Sequence, residues 1–215
     1  MFLIAIGGPS CAGKTQLAVL LASRLSAAIL PLDAYYRELA HLPLAERAQF
    51  NFDMPDALDQ DLLFQQVRQL SQGHTVDRPV YDFTTHSRAP QTERIQPGQF
   101  LILEGLFALY WEPLRALSGT KVFVDAPDPV CLARRQVRDV RERGRTPDSV
   151  LTQYDRTVRP MAEQYVRPTR FYADVVVSGE TPIESSVAAV LAHIERSPLR
   201  AGSMAIAPNE PQAAR

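Results

Sequence analysis

Apolar side chains run without a break from Phe2 to Ile6, and a segment of that length bounded by glycine predicts a strand buried on both faces. The period then changes. From Lys14 to Ser26 the apolar positions Leu17, Ala18, Leu21 and Leu25 fall at helical spacing, which predicts a helix. "AAIL" (27–30) reads as a short strand stopped by Pro31, and residues 35–55 show no period. Asp56 to Ser71 reads as a helix capped by Asp56 and closed near Gly73, with Asp59 also available to cap or solvate it. "TVDRPVYDFTTHSR" (75–88) has β-rich ends around a polar turn, so a small strand-containing excursion is expected over about 75–95. "FLILEG" (100–105), "KVFVDA" (121–126) and "ADVVVSG" (173–179) predict three more buried strands. Helices are expected from Asp128 to Arg143, from Pro147 to Val158 and from Pro182 to Arg196. Strands alternating with helices predict an α/β fold, a doubly wound parallel sheet with helices on both faces, as one domain over 1–196. The aperiodic, Pro- and Ala-rich stretch 197–215 reads as a mobile tail.

Composition narrows the classes. The chain has 215 residues and is 46% hydrophobic, enough for one core, and its formal net charge of −1 gives no general attraction to nucleic acid or to an anionic membrane. No apolar run approaches the roughly 20 residues of a membrane span. The amino terminus has no basic leader and is needed as the first strand. Cys11 and Cys131 have neither metal-site nor disulfide-framework spacing, so a reduced, cytoplasmic protein is expected.

Between the first strand and helix lies "GPSCAGKT" (8–15), with the spacing G-x-x-x-x-G-K-T. Strand, small-residue loop and helix in that order gather unpaired backbone N–H groups at the positive end of a helix dipole, which suits a polyphosphate. Gly8 and Gly13 permit close backbone approach, Lys14 reaches the terminal phosphates, and the Thr15 hydroxyl is a candidate Mg2+ ligand. The stretch Gly8, Pro9, Ser10, Cys11, Ala12, Gly13, Lys14, Thr15 is therefore expected to bind a nucleotide. Pro9 has no N–H, so the loop offers one donor fewer. Cys11, beside a helix N-terminus and Lys14, reads either as a thiol of lowered pKa or simply as a small residue that fits.

Asp33 and Glu104 stand at carboxyl ends of predicted strands, where open parallel sheets bind ligands. By residue type alone each also reads as a cap or an ordinary strand-end carboxylate. The run "RRQVRDVRERGR" (134–145) likewise reads as a solvated helix face, although Arg135 and Arg138 share one face and Arg141 extends it.

Across roughly residues 4–179 the chain resembles the uridine kinase (uridine–cytidine kinase) family of P-loop kinases. The resemblance is carried by "GPSCAGKT", "LDAYYREL", "NFDMPDALD", "VYDFTTHSR", "LILEGLFALY" and "RDVRERGRTPDSVLTQYDRTVRPMAEQYVRPTRFYADVVV". It implies transfer of the ATP γ-phosphoryl group to the 5′-hydroxyl of uridine or cytidine, with Mg2+, in a homotetramer. It assigns Asp33 as general base, and Glu104 with Thr15 as the Mg2+ ligands, directly or through water. Asp53 becomes the reader of the ribose hydroxyls, with Phe52 as a wall. Tyr81, Phe83 and His86 surround the pyrimidine. Arg135, Arg145 and Gln153 contact the nucleoside, while Arg138 and Arg143 meet the phosphates from a lid over about 138–150.

Two departures stand out: Cys131 where the family often has Arg, and no Arg or Lys after "VVVSGE". A kinase for another ribose-like acceptor, such as ribulose 5-phosphate or a vitamin riboside, is the nearest rival. "YDFTTHSR" supplies stacking and base-edge groups that a sugar phosphate would not use. A nucleotide-binding switch without transfer leaves Asp33 and the "ERGR" segment unexplained.

Overall fold

In the computed structural model, which describes residues 1–47 and 49–197, the first apolar run is strand β1 (Phe2–Gly7), buried at all six positions. The loop that follows enters α1 (Lys14–Leu25), and β2 (Ala28–Pro31) leads into a 3-10 turn (Leu32–Tyr35). A single-turn α2 (Leu44–Arg47) and a turn at Pro55–Ala57 relieve an otherwise irregular segment. Next come α3 (Gln60–Ser71), β3 (Val76–Asp82), β4 (Ser87–Ile95) and β5 (Phe100–Glu104). The chain continues with α4 (Glu112–Leu117), β6 (Ser118–Asp125), α5 (Asp128–Arg143) and α6 (Pro147–Gln153). A widened π turn (Tyr154–Val158), a short α7 (Arg159–Met161), a second π turn (Ala162–Val166) and a 3-10 turn (Arg167–Tyr172) carry it to β7 (Val175–Ser178) and α8 (Ile183–Arg196). Except for Ser197, the tail expected over 197–215 lies outside the described residues.

The main sheet is five-stranded and parallel in the order β2-β5-β1-β6-β7, as a doubly wound α/β fold requires. Period-2 alternation sorts its side chains onto two cores. Leu3, Ala5, Leu101 and Leu103 face α3, Tyr35 and Phe107. Phe2, Ile4, Ile6, Ile102 and Val124 face α1 and α8 through Leu17, Leu21, Val190 and Ile194. Each such fully buried Leu, Ile or Phe contributes about 1.5–3 kcal/mol. Strands β3 and β4 form a separate antiparallel hairpin, the excursion expected from the sequence. It is pinned to the body by Gln66, whose Nε2 donates to the Asp77 carbonyl at 2.9 Å and whose Oε1 accepts from the Tyr35 hydroxyl at 2.6 Å. Among the described residues no helix is long and apolar enough to cross a membrane.

Three expectations need correction. Helix α3 begins at Gln60, and its cap is Asp59, which accepts from the Leu62 N–H at 3.2 Å; Asp56 lies in the preceding turn. The Pro55–Ala57 turn holds Asp56 too far upstream to reach the first helical N–H groups. The helical stretch from Pro147 does not end at Val158 but continues, with π widening on both sides of α7. Pro160 has no N–H to return to the preceding turn, which breaks the regular ladder there. Helix α4 follows the expected strand at Phe100–Glu104 and was not foreseen, because six residues show too little of a period.

The phosphate loop and the β7–α8 turn are packed backbone to backbone, and the Arg134 side chain of α5 binds both. Arg134 donates to the Gly179 carbonyl at 2.8 Å, and a Cβ on Gly179 would sit 2.0 Å from the Ala12 carbonyl oxygen. Gly179→Ala must push the phosphate loop away. We expect a loss of about 1–3 kcal/mol, or roughly 2–4 °C of Tm per kcal/mol, together with weaker ATP binding. Calorimetry and nucleotide titration read both, and an unchanged Tm would show that the loop yields freely.

Candidate active site

The loop after β1 folds as its glycines demand. Gly8 has φ +140°, and a Cβ there would lie 2.3 Å from the Val124 carbonyl oxygen, so only glycine lets β1 and β6 stay paired at this point. Cys11 (φ +63°) and Gly13 (φ +111°) are also left-handed, which turns the chain over the start of α1. Gly13 is the helix N-cap and makes no side-chain cap, so the first turn of α1 keeps donors for an anion. Lys14 is buried and its Nζ donates to the Pro9 carbonyl at 2.8 Å, across the mouth of the loop. Burial pulls the Lys14 ammonium below its usual pKa, against the opposing charges of Glu104 and Asp33.

Glu104 ends β5 beside this loop, and Thr15 donates to it at 3.3 Å. Burial pushes the Glu104 carboxyl up to about 7, opposed by Lys14 and reinforced by Asp33. A carboxylate desolvated to that degree is short of positive charge. No group of three or more His, Cys, Asp or Glu able to hold a metal occurs among the described residues. One carboxylate and one hydroxyl do fit Mg2+, which keeps several waters and takes its other oxygens from phosphates.

A cleft of about 290 Å³ opens from the loop, and Asp33, Asp53, Tyr81, Phe83, His86 and Gln153 are among its lining residues. Asp33 sits in the 3-10 turn after β2 and is half-buried. It lines the same cleft as Lys14, Glu104, Tyr36 and Asp53. The far wall of the cleft is aromatic. Phe52 and His86 stack at 5.2 Å with 14° between their planes, and Tyr81 and Phe83 meet edge to face at 5.3 Å. The Tyr81 hydroxyl is buried and has no hydrogen-bond partner among the described residues. Burial, then Arg145 and Arg143, lower the His86 pKa, which favours the neutral imidazole, with one donor and one acceptor.

Asp53 is buried at the floor of the cleft. Thr157, carried on the first π turn, lies 3.2 Å from its Oδ2 and 3.1 Å from the Gln153 carbonyl; one hydroxyl proton serves one of them at a time. Arg135 is almost wholly buried and bridges two walls, donating to Ser10 Oγ at 2.9 Å and to Gln153 Oε1 at 3.0 Å. Arg145 donates to the same Gln153 oxygen. Arg143 lies with its guanidinium carbon 4.1 Å above the Phe83 ring. Arg138 lines the cleft, whereas Arg141, expected to continue this face, is exposed and does not. Two residues short of the helix end, its position rotates it to the outer side.

A model of the phosphoribulokinase/uridine kinase family matches residues 3–182. The chain belongs to this family. A uridine kinase from Chloroflexus aurantiacus is 44% identical over 196 residues, covering 90% of this chain and 94% of that protein. A uridine kinase from Tolumonas auensis is 42% identical over 182 residues, covering 81% and 85%. Among solved structures, a putative fructose transport system kinase from Silicibacter sp. TM1040 superposes with TM-score 0.67 at 21% identity, covering 82% of this chain and 89% of that one. Phosphoribulokinase from Rhodobacter spheroides superposes with TM-score 0.58 at 18% identity, covering 85% and 73%. These two likenesses establish the α/β fold.

Within this family member, sequence reasoning missed several contributors. Tyr36 packs on Phe52 at 5.3 Å and on Tyr81 at 5.2 Å, completing the aromatic wall; the doubled tyrosine after Asp33 was its only signal. Arg134 holds the loop through the Cys11 carbonyl, at 3.4 Å. Thr157 gave no local signal, because only the π turn aims it at Asp53.

Burial raises the Asp53 pKa despite Arg135 and Thr157, so the folded state holds that proton more tightly than the unfolded chain. The group's stability contribution is full in acid and is lost as pH rises from the unfolded value through the raised folded one. Asp53→Asn mimics the protonated form. It should melt above the wild type at pH 7, with the gap closing toward pH 4; a lower Tm at pH 7 would show that the Arg135 and Thr157 contacts outweigh desolvation.

Proposed function

We propose that this kinase transfers the ATP γ-phosphoryl group to the 5′-hydroxyl of uridine or cytidine. The observation carrying the reading is the far wall of the cleft. An aromatic box with an imidazole and a tyrosine hydroxyl that has no partner among the described residues lines the same cleft as a buried carboxylate and the phosphate loop. A flat base with polar edges fills the box, and vicinal ribose hydroxyls suit Asp53. The Chloroflexus and Tolumonas relatives, named uridine kinases, support the same acceptor.

In this reading the loop N–H groups and Lys14 seat the triphosphate. Thr15 and Glu104 would hold Mg2+, which when bound neutralises charge on the phosphates. Asp33 accepts the proton of the attacking hydroxyl. Arg138 and Arg143 meet the charge that develops on the transferring group, while Arg135, Arg145 and Gln153 fix the nucleoside and exclude water. The nucleoside's own hydroxyl is the nucleophile, so no covalent enzyme intermediate is needed.

ADP release from Mg-ATP should depend on uridine or cytidine, with neither ribulose 5-phosphate nor water replacing them. Turnover with ribulose 5-phosphate alone would overturn the acceptor assignment. Asp33→Asn keeps the shape of the base but cannot take the proton, so kcat should fall by about 10² to 10⁴ while nucleoside binding changes little. A single-turnover rate within threefold of wild type would remove Asp33 from the mechanism. A substrate lacking the 2′-hydroxyl leaves one partner of a buried carboxylate unfilled, at about 1.5–3 kcal/mol. kcat/KM for 2′-deoxyuridine should therefore lie about one to two decades below that for uridine, and equal values would release Asp53 from this role.

A further inference from the structure

One residue among the arginines of α5 carries the opposite charge. Asp139 is wholly buried, and three guanidinium groups converge on it. Arg135 Nε lies 3.3 Å from Oδ2, Arg138 donates to Oδ1 from Nε at 2.9 Å with its Nη2 2.8 Å from the same oxygen, and Arg143 Nε lies 3.6 Å from Oδ1. The same residue's carbonyl accepts the N–H groups of Gly144 and Arg145 that end the helix, so one position both stops α5 and collects its cations. Oδ2 and Arg135 Nε are buried without a well-aligned hydrogen bond, so the pairing on that side is one of charge more than of geometry.

Each arginine also reaches outward. Arg135 joins the phosphate loop through Ser10, Arg143 covers Phe83 on the acceptor wall, and Arg138 lines the cleft between them. Three cations held this close repel one another, and no other carboxylate makes an ion pair with any of them among the described residues.

We infer that Asp139 is a positioning residue, a resident anion that gathers Arg135, Arg138 and Arg143 at the cleft mouth and is in competition with the triphosphate for them. The inference rests on the kinase reading, though not on the identity of the acceptor. Without a nucleotide, Asp139 keeps the arginines from splaying. When a triphosphate arrives, Arg138 and Arg143, which share Oδ1, have a second anion to turn to, while Arg135 stays anchored by Ser10 and Gln153. A competitor that also positions gives an unusual pair of effects. Loss of its charge should strengthen anion binding and weaken catalysis.

The test compares the wild type with Asp139→Asn and Asp139→Glu. Inorganic tripolyphosphate, titrated calorimetrically without acceptor, should bind the Asn variant about three- to tenfold more tightly, since a buried negative charge has left its surroundings. With ATP and uridine, kcat of that variant should drop by at least about tenfold, because freed arginines no longer converge on the transferring group. The Glu variant, which restores the charge, should return tripolyphosphate affinity to the wild-type level and recover much of kcat. A residue that merely supports the fold would lower kcat without tightening anion binding. Unchanged or weaker tripolyphosphate binding in Asp139→Asn overturns the inference, as does wild-type kcat. If three unpaired arginines prevent folding, the same comparison is made on an Arg135→Met background, where two cations remain and the same signs are expected. Failure of the kinase reading itself would appear separately, as no ADP release by the wild type.

Discussion

Backbone crowding at the carboxyl ends of the parallel strands is the constraint on which the site depends. Gly8 lies against the Val124 carbonyl and Gly179 against the Ala12 carbonyl, both closer than any Cβ allows. That closeness holds the loop against the end of β6 and the β7–α8 turn, with the Ala12 N–H closing on the Pro9 carbonyl at 3.2 Å. It also brings Glu104, at the end of β5, within hydrogen-bonding range of Thr15 on α1, although 89 residues separate them in the chain. The shape of this loop is thus a by-product of how tightly the strand ends pack.

The second organising force is buried charge. Lys14, Glu104, Asp53, Arg135 and Asp139 are all buried, and none would be tolerated there singly. Their pKa directions tell two stories. Glu104 and Asp53 are pushed up by burial, so their environments are short of cations or donors in the free protein. For Asp139 burial pushes the same way but three arginines outweigh it, and its carboxyl is held below the usual range. The first two lack compensating charge, whereas the third is compensated by three guanidinium groups even though its Oδ2 has no well-aligned hydrogen bond. This separates carboxylates whose environments disfavour their charge from one that other residues hold charged.

Much of this was legible in the chain. Strand and helix types followed from hydrophobic period, the phosphate loop from its spacing, and the strand-end carboxylates Asp33 and Glu104 from their place after apolar runs. The cleft gathers Asp53, Tyr81, Phe83, His86, Arg135, Arg138, Arg143, Arg145 and Gln153, which motif resemblance had brought together. Boundaries were less legible. The α3 cap fell three residues away, at Asp59, because the Pro55–Ala57 turn intervenes, and Asp59 also receives Arg88 at 3.0 Å from the hairpin, a tertiary partner that no local pattern records.

By itself, the sequence determined which segments are strands and helices, that their alternation makes a parallel sheet, and that the first strand–helix turn is a glycine-bearing P-loop. Those are properties of period and of a few backbone-permissive residues, and neighbours in the chain suffice to express them. Tertiary structure alone decided that Tyr36 joins the aromatic wall, that Arg141 points away, that Thr157 meets Asp53 and that Asp139 collects three arginines. Each of these depends on where a side chain points after helices have turned and π turns have widened. One residue of added rotation swings a side chain by about 100°, and no pattern along the chain records which neighbour from another element will be waiting there.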